Sequence, residues 1–154
     1  MLSASTPLDL AFFSLLSGSY ERLLGVPLAP EMPSGTGAVD WIYHDAPFAV
    51  LAQDAGDDPV FVYANIAAQR RFAYSWHEFS GLPSRLSTPV TDRAKRDRAM
   101  ASVLSDGYVE GYRGLRESGR GHRFWIEDVT IWNVSDLDGV VRGQAAIIRS
   151  WSDA

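Results

Sequence analysis

The chain has 154 residues, 46% of them hydrophobic and 21% charged, with a formal net charge of -5. That balance fits one globular domain able to bury a core, and it excludes a disordered tail as the main content. The acidic balance argues against nucleic-acid binding, and the lack of cysteine excludes disulfides, thiolate metal sites and thiol nucleophiles.

The stretch Met1 to Pro7 has no basic region, so no secretory signal is expected. The lack of cysteine fits a reducing cytoplasm, which is the expected location. The apolar run at 8–16 is far shorter than the ~20 residues of a membrane span, so no membrane partner is expected. It opens a helix instead. Ser5 or Thr6 can cap it, Pro7 suits its first position, and Gly25 followed by Pro27 stops it. Phe12, Leu15, Leu16, Tyr20, Leu23 and Leu24 recur at helical spacing. So apolar a helix must pack on the domain, on a second copy, or on both.

Residues 26–37 are rich in Pro and Gly and read as a linker. A short helix follows at Val39 to Asp45, then a strand from Pro47 to Ala52, turn chemistry at 54–59, and a strand from Val60 to Tyr63. Asn65 can cap a helix over 66–73, and Ser75 a short one from Trp76 to Phe79. Thr91 opens a longer helix ending near Asp106, closed by Gly107, with Ala99, Met100, Val103 and Leu104 on one face. Its basic residues Arg93, Lys95, Arg96 and Arg98 are interleaved with Asp92 and Asp97 and read as a solvated face. Tyr108 to Glu117 alternates poorly and runs into a turn at 118–121. Arg123 to Val134 is a long strand, 136–139 a turn, and Val140 to Trp151 the final strand. Strands separated by a helical block indicate an α+β fold with an antiparallel sheet.

Two strands, a helical connector and three strands is the order of PAS domains. Phe61 to Asn65, then Ala68, Phe72, Ala73-Tyr74-Ser75, Glu78-Phe79 and Gly81, resemble the PAS strand–Asn–helix series, with Ala73 where that series usually has Gly. Ser118-Gly119, Phe124-Trp125 and Asp136 to Gly139 resemble the hairpins of its C-terminal half. The chain is similar in particular to the PAS-related MEKHLA domain, in its bacterial stand-alone form. The shared features are Trp41 with His44, Phe124 to Asp128 with Trp132-Asn133, and Gly143 to Ala146. The resemblance implies a five-stranded antiparallel sheet, a helical connector between strands 2 and 3, and an added N-terminal helix. It divides the chain into a helix and linker at 1–37 and a PAS-like domain at 38–154. In plants this domain ends certain homeodomain-leucine zipper transcription factors, where it is linked to protein interaction and dimerisation. The resemblance therefore implies a sensory or interaction module, not an assigned activity.

Some PAS relatives bind flavin. The segment Gly81 to Leu86 with Thr91 to Ala94 resembles the light-oxygen-voltage photoreceptors, but Ser84 stands at the cysteine adduct position and Ile126 at the flavin-contacting Asn. Flavin is disfavoured on those two residues. Haem is disfavoured because His44, His77 and His122 are scattered without paired spacing. Strand alternation puts Phe124, Ile126, Asp128, Thr130, Trp132 and Val134 on one face and Trp125, Glu127, Val129, Ile131 and Asn133 on the other. The resemblance turns the first set inward, towards the connector helices. A pocket for a small, mostly apolar ligand would then be lined by Phe72, Ser84, Met100, Val103, Asp128, Thr130, Trp132 and Gln144. Asp128 and Gln144 would be either its polar end or a structural network. Trp125, Val129 and Ile131 would form an apolar outer face. With Phe12, Leu16 and Leu23 they suggest a homodimer interface beside an unidentified protein partner. The competing reading is a small cavity enzyme, isomerase- or hydratase-like, using His44 and Asp128.

Overall fold

The computed structural model describes residues 6–154, so the expected Ser5 cap lies outside the described residues. The first helix, α1 (Leu10–Leu24), starts later than predicted. Thr6 does not cap it; its hydroxyl accepts from the Leu8 amide at 3.3 Å, ahead of the helix. Asp9 is the cap, accepting from the Phe12 amide at 3.0 Å. Gly25 ends the helix in the left-handed conformation, as its lack of Cβ allows.

The remaining helices follow the sequence signals. They are α2 (Gly37–His44), α3 (Ile66–Phe72), α4 (Trp76–Phe79) and α5 (Arg93–Asp106). Asn65 caps α3 and Ser75 caps α4, the latter as a reciprocal capping box with Glu78. Two 3-10 turns, Ser84–Ser87 and Val90–Asp92, lead into α5.

The strands are β1 (Ala49–Asp54), β2 (Phe61–Ala64), β3 (Tyr108–Glu117), β4 (Arg123–Ser135) and β5 (Val141–Asp153). They form one five-stranded sheet in the order β2-β1-β5-β4-β3, with every neighbouring pair antiparallel. This is the PAS-like α+β architecture expected from the element order.

Both sheet faces are covered. On one face, α1 and α2 bury Phe12, Leu16, Tyr20 and Ile42 against Val50, Ala52, Trp132, Val134, Ala145 and Ile147. On the other, the connector helices bury Phe72, Phe79 and Val103 against Leu51, Phe61, Ile126, Val129, Ile131 and Ile148. The inner strand β1 is therefore buried on both faces along Ala49 to Gln53 rather than alternating. The helix α1 packs on the sheet of its own chain. Trp132 Nε1 donates to the Leu16 carbonyl at 3.2 Å, and Arg149 Nη2 to the Tyr20 hydroxyl at 3.1 Å.

One residue reverses the predicted faces of β4. Asp128 has φ 51, a left-handed conformation that interrupts the two-residue alternation. Phe124 and Ile126 face the connector helices as predicted, but beyond Asp128 it is Val129 and Ile131 that do so. Trp132 and Val134 lie under α1 instead.

Candidate ligand cavity

Between α5, the turn at Ser84–Ser87 and the sheet lies a cavity of about 60 Å³. Its apolar wall includes Leu51, Phe61, Met100, Ile126, Val129 and Ile131, and its polar groups are Gln53, Ser84, Ser87, Arg96, Arg116 and Gln144.

The two arginines dominate its electrostatics, and each is only 7% exposed. Arg96 is placed by helical spacing: Met100 and Val103, four and seven residues on, share its face of α5. Its Nη2 donates to Ser84 Oγ and, at 3.2 Å, to Gln53 Oε1; its Nη1 donates to Asp97 Oδ1 at 3.1 Å. Arg116 stands on β3, where Gly114 and Arg116 alternate inward. Its Nη1 donates to the Leu115 carbonyl at 2.8 Å, and the Tyr112 hydroxyl provides a further side-chain hydrogen bond. Gly114 makes room for this pairing, since a Cβ there would lie 2.9 Å from the Tyr112 hydroxyl and 3.0 Å from Arg116 Nη1. Burial pushes both guanidinium pKa values down, and the charge of Arg96 pushes that of Arg116 further.

Amide side chains continue the polar wall. Gln53 Nε2 donates to Gln144 Oε1 at 3.3 Å, and Gln144 Nε2 donates to the Met100 carbonyl at 3.0 Å and to Asn133 Oδ1 at 3.2 Å. Asn133 Nδ2 in turn reaches the carbonyls of Val103 and Leu104 at 3.0 and 3.2 Å. Asn133 and Gln144 thus tie the C-terminal half of α5 to the sheet, and Gln144 both lines the cavity and belongs to a network.

Of the pocket residues expected from sequence, Ser84, Met100 and Gln144 line this cavity. Phe72 and Val103 are buried in the same core without forming its wall. Asp128, Thr130 and Trp132 do not belong to it. Asp128 is exposed, Thr130 accepts from Arg149 at 3.0 Å, and Trp132 is buried beneath α1.

Val129 and Ile131, expected on the outer face, are cavity wall instead. Phe12 and Leu16 are core of their own chain, and Leu23 packs partly buried beside them. Trp125 belongs to neither core; the Arg113 guanidinium covers its ring at 3.8 Å. Leu104, expected on one face of α5 with Ala99, Met100 and Val103, is exposed whereas Val103 is buried.

Arg96 is the exception to the solvated basic face and, with Arg116 and Gln53, was not anticipated as a site residue. The i, i+4, i+7 relation of Arg96 to Met100 and Val103 was the available signal. Nothing comparable marks Arg116, because β3 carries register irregularities around Tyr112.

His44 and Asp128 are not brought together. His44 is exposed, pairs with Asp40 at 3.3 Å, and borders a separate outer cleft with Arg70, Arg71, Arg120 and His122. Asp128 lines neither that cleft nor the cavity. His77 is exposed, and His122 pairs with Asp153 at 3.1 Å on the surface. Among the described residues no group of His, Asp and Glu could hold a metal ion, and no helix is long and apolar enough to cross a membrane.

The architecture places the chain in the PAS-like class of α+β domains, and solved structures agree. The PAS domain of a protein from Colwellia psychrerythraea superposes with a TM-score of 0.62 at 16% identity, covering 75% of this chain and 92% of that one. An RNA-binding light-oxygen-voltage receptor gives 0.65 at 24%, covering 83% of this chain and 36% of the receptor. The PAS domain of a LuxR-family transcriptional regulator from Burkholderia thailandensis, in complex with ethanol, gives 0.54 at 17%, covering 70% and 93%. At these identities the likeness is one of fold. The sequence model of the MEKHLA domain matches residues 10–153, and the chain belongs to that family. No curated protein matches the sequence.

Proposed function

We propose that the protein is a ligand-sensing and protein-interaction module rather than a catalyst, with a small molecule lodged between α5 and the sheet. The observation that carries this reading is the cavity itself, about 60 Å³ and lined by both apolar side chains and polar groups. Pockets for drug-sized ligands and cofactors occupy about 300–1,000 Å³, so a cavity of this size suits a molecule of a few heavy atoms and does not suit flavin. The ethanol bound by the LuxR-family PAS domain is of that scale and supports the reading. The outlet is α1. Its contacts to Trp132 and Arg149 join it to β4 and β5, whose opposite faces line the cavity. The receiving partner is another protein chain, with a second copy the first to test.

Native mass spectrometry of the purified protein, with a visible absorption spectrum, reads ligand mass, chromophore and oligomeric state together. The expected result is a colourless protein carrying a small non-covalent mass. A tightly bound chromophore overturns the small-ligand reading, and turnover of the bound molecule overturns the non-catalytic one.

A further inference from the structure

We propose that the cavity is an anion site for a two- or three-carbon monocarboxylate, its carboxylate held between Arg96 and Arg116. This rests on the ligand-sensing reading above and assigns that ligand a chemical class.

The first observation is unbalanced charge. Among the described residues Arg116 makes no ion pair and no Asp or Glu lines the cavity; Asp92 acts on its charge only through space, without a contact. The carboxylate on Arg96 belongs to Asp97, whose side chain is 69% exposed and lies outside the cavity. A guanidinium does not shed its proton in a protein, so burial without a counter-charge is costly and a bound anion relieves it. The site is also built rather than incidental. Gly114 lets Tyr112 and Arg116 pack across it, and Ser84 and Gln53 hold Arg96.

Shape supplies the second constraint. A guanidinium fork matches a planar carboxylate, and a cavity of about 60 Å³ admits a few heavy atoms. The lining also includes Leu51, Met100, Ile126, Val129 and Ile131, which suit a short alkyl tail and offer an inorganic anion no hydrogen bond.

The test is a set of thermal-shift and NMR titrations of the full chain with sodium acetate and propionate, against acetamide, ethanol and sodium chloride at matched ionic strength. Acetate and propionate should saturate, binding about tenfold or more tighter than acetamide or ethanol. Arg116→Met should lose at least about tenfold in acetate affinity, yet melt no lower than wild type in acetate-free buffer, because it removes an unpaired buried charge. Ala146→Leu, which fills the cavity while leaving both arginines in place, should abolish the titration.

If ethanol and acetamide bind as well as acetate, or if Arg116→Met keeps its acetate affinity, the anion assignment falls while the ligand-sensing reading stands. Chloride matching acetate overturns the carboxylate class. If no probe binds and no bound mass is found, both fall together. An unfolded Arg116→Met protein assigns Arg116 to structure and also overturns the proposal.

Discussion

Among the described residues two non-glycines, Ala73 and Asp128, adopt left-handed backbone, and each carries a consequence. Ala73 ends α3 with φ 55, where the PAS pattern usually has glycine. Its Cβ is strained there, and a methyl group has no polar atom with which to form the local hydrogen bond that eases this conformation for Asn or Asp. Ala73→Gly should therefore stabilise the fold by about 1 kcal/mol, visible as a higher urea midpoint with an unchanged slope. Asp128, at φ 51, changes the reading of a whole strand. Alternation carried past it places Trp132 in the cavity, whereas the structure places it under α1 with Val129 and Ile131 in the cavity wall. Asp tolerates the left-handed region better than most residues, but an Asp within a strand pattern does not by itself announce a bulge.

At the scale of elements, Asn65 does more than cap α3. Its Oδ1 accepts from the amides of Ala68 and Val50, and its Nδ2 donates to the carbonyls of Ile42 and Phe48, each at 3.0 Å. All four bonds of the amide are used, joining α2, β1 and α3 at a fully buried point. Asn65→Ala should cost about 3 kcal/mol or more, well beyond the ~1 kcal/mol of an exposed cap, because it strands backbone groups away from water. Asn65→Asp keeps the acceptor but turns a carboxylate towards two carbonyls, so it should not rescue the loss. Chemical denaturation of the two variants checks both expectations. The capping role is legible in the sequence from Asn65 preceding an apolar helix; the bonds to Ile42 and Phe48 are not, since those partners are distant along the chain.

For the whole molecule, α1 acts as the second layer of the core. Leu16 is fully buried, whereas Leu10 on the same helix is 52% exposed. Leu16→Ala should cost about 2–5 kcal/mol and Leu10→Ala little, which equilibrium unfolding of the pair will show. The family match at residues 10–153 includes this helix, in keeping with its place against the sheet.

The element order, the α+β class, the family, most caps and turns, and the need of the first helix for cover are all legible along the chain. These depend on local chemistry: apolar period, cap residues and turn residues act within a few positions of one another. Which face of β4 meets which layer is visible in the folded chain alone, since the left-handed Asp128 shifts the alternation of the side chains after it. The folded chain likewise brings Arg96 and Arg116 to a common cavity, because α5 packs against β3 and β4. Charged residues in a helix or strand read as solvated until a second element closes over them.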